Sequence, residues 1–253
     1  WKRFLSNLHM SENKLNIAII GKYVSLQDAY KSISESLIHA GANQNSKVDI
    51  QWILSEELNT ENLKKKLKNI DGIIVAPGFG VRGIEGKILA IEYVRKNKIP
   101  FFGICLGMQC ACIEFSRNVL GYESANSTEF DRETNHPVID LMQEQKKIKN
   151  KGGTMRLGSY KCSLEKGTQI YNSYKSPEIQ ERHRHRYEFN NNYKSEFNDH
   201  GMKTPGINSK LNLVETIELD DHPWFIGTQY HPEYRSRVLK PHPLFVSFVN
   251  KIK

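Results

Sequence analysis

The segment PFFGICLGMQ (Pro100–Gln109) constrains this chain more than any other. An apolar run of strand character meets Gly-x-Cys-x-Gly, and an apolar-periodic helix pattern follows. That is the strand–turn–helix layout of a nucleophile elbow with sulfur in place of oxygen. Gly103 and Gly107 let strand and helix backbones approach without a Cβ between them. The tight turn presents Cys105 at the helix N-terminus, where free N–H groups and the helix dipole favour a thiolate and can receive an oxyanion. A lone free cysteine is more often a small buried hydrophobe. Cys110, Cys112 and Cys162 are read that way, and only Cys105 has the flanking glycines.

An elbow of this kind requires a sheet. Four apolar segments read as buried strands: Asn16–Ile20, Asp71–Ala76, Pro100–Ile104 and Trp224–Tyr230. Helical patterns separate the first three. One runs from Asp28 as N-cap to Ala40, ended by Gly41, and others cover Glu61–Asn69, Glu85–Asn97 and Leu106–Phe115. Strands alternating with such helices predict parallel βαβ units. The region after Thr154 is richer in strands and turns, which predicts antiparallel strands extending the sheet, and His242–Ile252 closes the chain as an amphipathic helix. The expected fold is α/β, a central mostly parallel sheet flanked by helices with added antiparallel strands. Residues 1–13 (WKRFLSNLHM and after) read as an amphipathic interdomain linker remnant and 14–253 as one domain. Gln143–Lys151 reads as a mobile loop.

Composition narrows the function. The 253 residues carry a formal charge of +8, but the lysines are scattered and lack the interleaved aromatics of a nucleic-acid platform, so no nucleic-acid partner is expected. No segment approaches a membrane span and no secretory signal is visible. Four cysteines without a C-x-x-C pair suit reduced thiols and a cytoplasmic location.

A cysteine nucleophile needs a base and a group to orient it. Among nine histidines, His9, His39 and His200 lack a partner motif, and His183 and His185 in RHRHRYE read as structural. His231 and Glu233 in HPEY stand two apart after an apolar strand. In extended chain they share a face at a strand end, where α/β folds place their sites. H-x-E alone is a weak signal; beside a cysteine elbow it is strong.

GICLGMQ together with QYHPEY resembles the signature pair of class I glutamine amidotransferases. The segments IAIIGKYVSLQDAYKSI, GFGVRGIEGKI, NSTEF, GGTMRLG, ERHRHRYE and KPHPLF further resemble the CTP synthase family, from about Ile17 to the C-terminus. The segment before GGTMRLG is nearer to eukaryotic-type members. The resemblance implies a flavodoxin-like, class I amidotransferase fold and a Cys105, His231, Glu233 triad. It implies that the backbones of Gly78 and Leu106 form the oxyanion hole. Substrate contacts would come from Gly78, from Leu106, Gly107, Met108 and Gln109, and from Glu129 and Arg186, which offer opposite charges to the two ends of a free amino acid. Where this chain has Ala76-Pro77-Gly78, family members have a further glycine. Pro77 lacks an N–H, which leaves Gly78 as the loop's donor.

The resemblance also implies L-glutamine as substrate and no metal or cofactor in this domain. It implies a partner N-terminal synthetase domain using ATP and Mg²⁺, GTP as allosteric activator acting through a lid at Gln143–Gly153, and a homotetramer. Alternatives left open are a different glutamine amidotransferase, a cysteine peptidase or γ-glutamyl hydrolase, and a catalytically dead filament-forming module.

Overall fold

The computed structural model describes residues 1–141 and 155–253; the expected mobile loop at Gln143–Lys151 lies outside them. Chain order begins with helix α1 (Lys2–Met10), strand β1 (Lys14–Gly21), helix α2 (Lys31–Asn43) and strand β2 (Lys47–Leu54). It continues through α3 (Leu63–Lys66), β3 (Gly72–Val75), α4 (Ile84–Lys96), β4 (Phe101–Ile104) and α5 (Leu106–Asn118). Strands β5 (Asn126–Ser127), β6 (Pro137–Leu141), β7 (Arg156–Leu164), β8 (Glu178–His185), β9 (Tyr187–Phe189), β10 (Met202–Asn208), β11 (Leu213–Leu219) and β12 (Phe225–Thr228) follow. The C-terminal helix is Pro243–Ile252.

Nine described strands form one sheet in the order β2-β1-β3-β4-β12-β11-β10-β7-β8. Pairing is parallel from β2 through β12 and antiparallel from there to β8. The expected parallel and antiparallel parts are both present, with one correction: β12, from the region expected to be antiparallel throughout, pairs parallel with β4 and joins the two parts. Strands β5, β6 and β9 form a small second sheet.

The central strands are short and continuously apolar because both faces are covered. Alternate residues go to opposite sides. Ala18, Ile20, Ile73, Val75 and Phe101 pack with α4 and α5, whereas Ile17, Ile19, Ile74, Phe102 and Ile104 pack with α2 and the C-terminal helix. Strand β2 was not expected: KVDIQWIL alternates polar and apolar at the sheet edge, and only Ile53 is fully buried in it.

Four boundaries differ from expectation. Asp28 lies in a 3-10 turn, Gln27–Tyr30, rather than capping α2, which starts at Lys31. Gly41 does not end α2 but sits inside it, where a Cβ would come within 2.8 Å of Ser46 O and Val48 Cγ2. The helix expected over Glu61–Asn69 shrinks to α3; Asn59 Oδ1 accepts from the N–H groups of Glu61 and Asn62 in the manner of an N-cap, and the far end stops before Asn69, which has positive φ. His242, expected inside the last helix, caps it by accepting from Leu244 N. Residues 2–10, read as linker, form α1 against α2, with Asn7 Nδ2 donating to Ala42 O at 2.8 Å.

The elbow depends on backbone contact. A Cβ at Gly107 would lie 2.1 Å from Val75 O, and one at Gly103 would lie 2.8 Å from Gly107 C. Helix α5 thus rests directly on β3 and β4. Because both obstructing atoms are backbone, Gly107→Ala forces the helix off the sheet. It is expected to destabilise the fold by about 3 kcal/mol or more, read as a lower urea midpoint at unchanged slope. A stability equal to the parent's would show that the close approach carries no weight.

Candidate active site

Parallel register brings the candidate residues together. Strands β4 and β12 pair side by side, Ile104 opposite Thr228, and Cys105 N donates to Thr228 O at 2.7 Å. The chain leaving β4 therefore turns at Cys105 beside the chain leaving β12, which reaches His231 three residues later. Cys105 has φ 52° and ψ −103° and stands at the N-cap of α5. Positive φ in a non-glycine residue costs of order 1–3 kcal/mol and persists where surrounding structure enforces it. Here the enforcing elements are the β4–β12 pairing and the glycine contacts under α5.

His231 and Glu233 do meet, though not through extended chain as expected. The backbone turns into a 3-10 segment, Pro232–Arg235, with His231 at its N-cap, and His231 Nδ1 donates to Glu233 Oε1 at 2.6 Å. His231 N donates to Arg182 O at 2.8 Å, tying this turn to β8, and the ring stacks on Tyr234 with centroids 4.9 Å apart. Cys105, His231 and Glu233 are 5%, 4% and 5% exposed, so their charges act in a poorly solvated setting. Burial by itself lowers the His231 pKa. The Glu233 carboxylate and the Cys105 thiolate outweigh it and raise the pKa well above 6.5, which favours the imidazolium. With Nδ1 committed to Glu233, the other nitrogen, Nε2, is buried and left to Cys105, whose side chain adds both charge and hydrogen bonding to the upward pull on the His231 pKa.

The expected oxyanion donors are neighbours. A Cβ on Gly78 would lie 3.3 Å from Leu106 Cδ2. Neither the Gly78 nor the Leu106 N–H donates to an acceptor among the described residues. The loop carrying Gly78 is held by Glu129, whose Oε1 accepts from Gly80 N at 2.7 Å. Half-buried Arg186 lies near Tyr187, whose phenol pKa burial raises first, Glu129 raises further and Arg186 lowers. Glu129 and Arg186 thus act on the same small region.

Other residues of the elbow have different positions. The Met108 side chain is fully buried in the core beside Gly227, which limits any contact it makes to its backbone. Gln109 is buried, and its Nε2 donates to Tyr187 O at 3.0 Å and to Gln229 Oε1 at 3.2 Å. Gln229 escaped the sequence reading. It is fully buried, and its Nε2 points at Cys105 Sγ at 3.7 Å. Its place in QYHPEY was the available signal.

Behind the site lies a buried charge network that the sequence did not reveal. Arg156 reaches Glu215 at 2.7 Å and Glu188 at 3.1 Å. Burial pushes the Glu188 carboxyl up to about 8, against the pull of Arg156. His183 Nδ1 and His185 Nε2 are 2.8 Å apart, and His185 Nδ1 lies 3.2 Å from Tyr187 O. Burial and then neighbouring cations hold both rings neutral, His183 near 2 and His185 well below the usual range. With His185 Nδ1–H donating to Tyr187 O, its Nε2 accepts from His183 Nδ1–H. The RHRHRYE histidines are therefore structural, bracing the backbone next to Arg186. Among the described residues no three His, Cys, Asp or Glu side chains are grouped to hold a metal ion. No described helix is long and apolar enough to cross a membrane.

Class-I glutamine amidotransferases are the family that matches this chain, over residues 25–251. Similarity to solved structures extends to a putative GMP synthase component from Thermoplasma acidophilum, with a TM-score of 0.61 at 15% identity over 94% of each chain. At that identity the likeness concerns the fold alone. The glutaminase domain of Trypanosoma brucei CTPS, solved with bound acivicin, superposes with a TM-score of 0.89 at 36% identity, covering 94% of this chain and 93% of that one. The CTP synthase of Cytophaga hutchinsonii is 58% identical over 249 residues, 98% of this chain and 46% of that protein. The chain belongs to the glutaminase domains of the CTP synthase family. It spans about half the length of its curated relatives. Overall identity does not follow the expected leaning toward eukaryotic members, being higher with the Cytophaga protein than with the trypanosomal domain.

The His231 pair yields a pH prediction. Its raised folded pKa contributes stability that is fully present below the unfolded value of about 6.5 and is lost as pH rises through the folded pKa. NMR titration should show an imidazolium persisting above neutral pH, and Glu233→Gln should move that titration to lower pH. An unchanged His231 titration in the variant would remove Glu233 as the source.

Proposed function

We propose that this domain hydrolyses L-glutamine to glutamate and ammonia through a thioester on Cys105. The observation that carries the reading is the meeting of a strained Cys105 elbow with the buried His231–Glu233 pair at the C-terminal ends of two central strands. The Cys105 thiolate attacks the side-chain amide carbon. Gly78 N–H and Leu106 N–H stabilise the oxyanion that forms. His231, oriented by Glu233, donates its Nε2 proton to the leaving nitrogen as the C–N bond breaks, giving ammonia and the glutamyl thioester. Water then attacks the thioester, His231 accepts its proton, and the C–S bond breaks to return the thiolate. Glu129 and Arg186 hold the ammonium and carboxylate of the amino-acid end.

In the full-length protein the ammonia serves a synthetase domain that aminates UTP to CTP with ATP and Mg²⁺, a step of pyrimidine nucleotide synthesis. GTP acts as allosteric activator, and the assembly is a homotetramer. The support for this wider reading is the kinship with CTP synthases that extend well beyond the span of this chain.

Cys105→Ala is expected to abolish ammonia release from glutamine while leaving the thermal midpoint near the parent's. Arg186→Ala is expected to raise KM for glutamine at least about tenfold through loss of a charge-assisted contact. Alkylation of Cys105 by iodoacetamide, which lacks the amino-acid charges, should change far less. Ammonia release by Cys105→Ala near the parental rate would refute the nucleophile, and equal loss of both reactions in Arg186→Ala would refute the substrate grip.

A further inference from the structure

Lys87, in the first turns of α4, is one of the largest fully buried side chains, and no described carboxylate pairs with it. Its Nζ donates to Ala76 O at 2.7 Å. Nothing about this placement serves the fold. A buried ammonium without an anion is among the costliest groups to enclose, and a cation near a helix N-terminus opposes the helix dipole. A methionine of similar reach would fill the same space at less cost.

What Lys87 touches explains it. Ala76 begins the loop Ala76–Gly80, whose central residue is the proposed oxyanion donor Gly78. On the far side of Gly78 a second buried lysine, Lys22, donates to Phe79 O at 2.6 Å and also to Gly80 O. Glu129 takes Gly80 N, and Ala76 N donates to Ile20 O at 3.0 Å. Gly78 is thus flanked by two ammonium clamps on backbone carbonyls, and its N–H is left for a ligand. The ionisable groups facing Lys87 are Cys110 and Cys105 beneath it and Lys22 beside it. Burial pulls its pKa down to about 8, with the cysteines opposing that pull, so the ammonium form still predominates at neutral pH.

We infer that Lys87 is a positioning residue of the glutaminase site, a buried cation that holds the oxyanion loop. This rests on the reading of Cys105 as nucleophile. Its effect is exerted through the Ala76 carbonyl, without contact to glutamine.

The test compares the parent with Lys87→Met and Lys87→Gln. The readouts are thermal unfolding, the rate of iodoacetamide alkylation at Cys105 by mass spectrometry, and steady-state ammonia release from glutamine. Lys87→Met should keep or raise the thermal midpoint, because an unpaired buried charge is gone. Alkylation of Cys105, which makes no use of the oxyanion loop, should stay near the parental rate. The kcat for ammonia release should fall about tenfold or more, with little change in KM. Lys87→Gln keeps a donor for Ala76 O without the charge. It should retain more kcat than the Met variant, and it carries the test if the Met variant fails to fold. A kcat equal to the parent's in a folded variant, or a loss of alkylation as large as the loss of kcat, would overturn the inference. Failure of the underlying reading would show in the parent instead, as a Cys105 that reacts no faster than Cys162.

Discussion

Everything in this domain's site follows from a contact between backbones. Helix α5 approaches the sheet until Gly107 meets the carbonyl of Val75 and the backbone of Gly107 meets Gly103. At that separation the chain between β4 and α5 has one residue in which to reverse, and that residue is Cys105, held at positive φ. That conformation places the thiol at the C-terminal end of a central strand and at the start of a helix. Larger residues at either glycine would relax the turn and remove the geometry together with the strain.

The second half of the chain supplies what the elbow lacks. By pairing parallel to β4, strand β12 delivers His231 and Glu233 to the same end of the sheet's strands, and the antiparallel strands beyond it brace them. That bracing is mostly polar and buried: the Arg156–Glu188–Glu215 cluster, the neutral His183–His185 pair, and Gln109 bridging Tyr187 to Gln229. Apolar packing would hold these strands at least as firmly. Hydrogen-bonded networks specify instead which way the RHRHRYE backbone faces, and Arg186 is carried on that backbone.

The parallel half of the fold was legible because its strands are buried on both faces and read as apolar runs such as NIAII. The elbow was legible because its glycines are dictated by close approach. Strand β2 was not, since an edge strand with one wet face alternates like many loops. Gly41 misled as a helix terminator, because the sequence does not show the Ser46 carbonyl that requires it. Lys87 and Arg156 were not singled out, since nothing local marks a lysine or arginine as buried. Those positions are set by long-range packing, as is Gln229 against Cys105. The pairing of His231 with Glu233 was anticipated for a partly mistaken reason: their spacing suits a shared strand face, yet a 3-10 turn brings them together.

The account stands on Cys105 reacting as a nucleophile toward a glutamine-shaped electrophile. The most direct measurement is mass spectrometry of the chain after incubation with a diazo-ketone analogue of glutamine, with the modified peptide located by fragmentation. The account predicts a single covalent adduct on Cys105, formed competitively with glutamine, and none on the buried Cys110, Cys112 or Cys162. An unlabelled Cys105, or labelling spread over several cysteines and indifferent to glutamine, would contradict it.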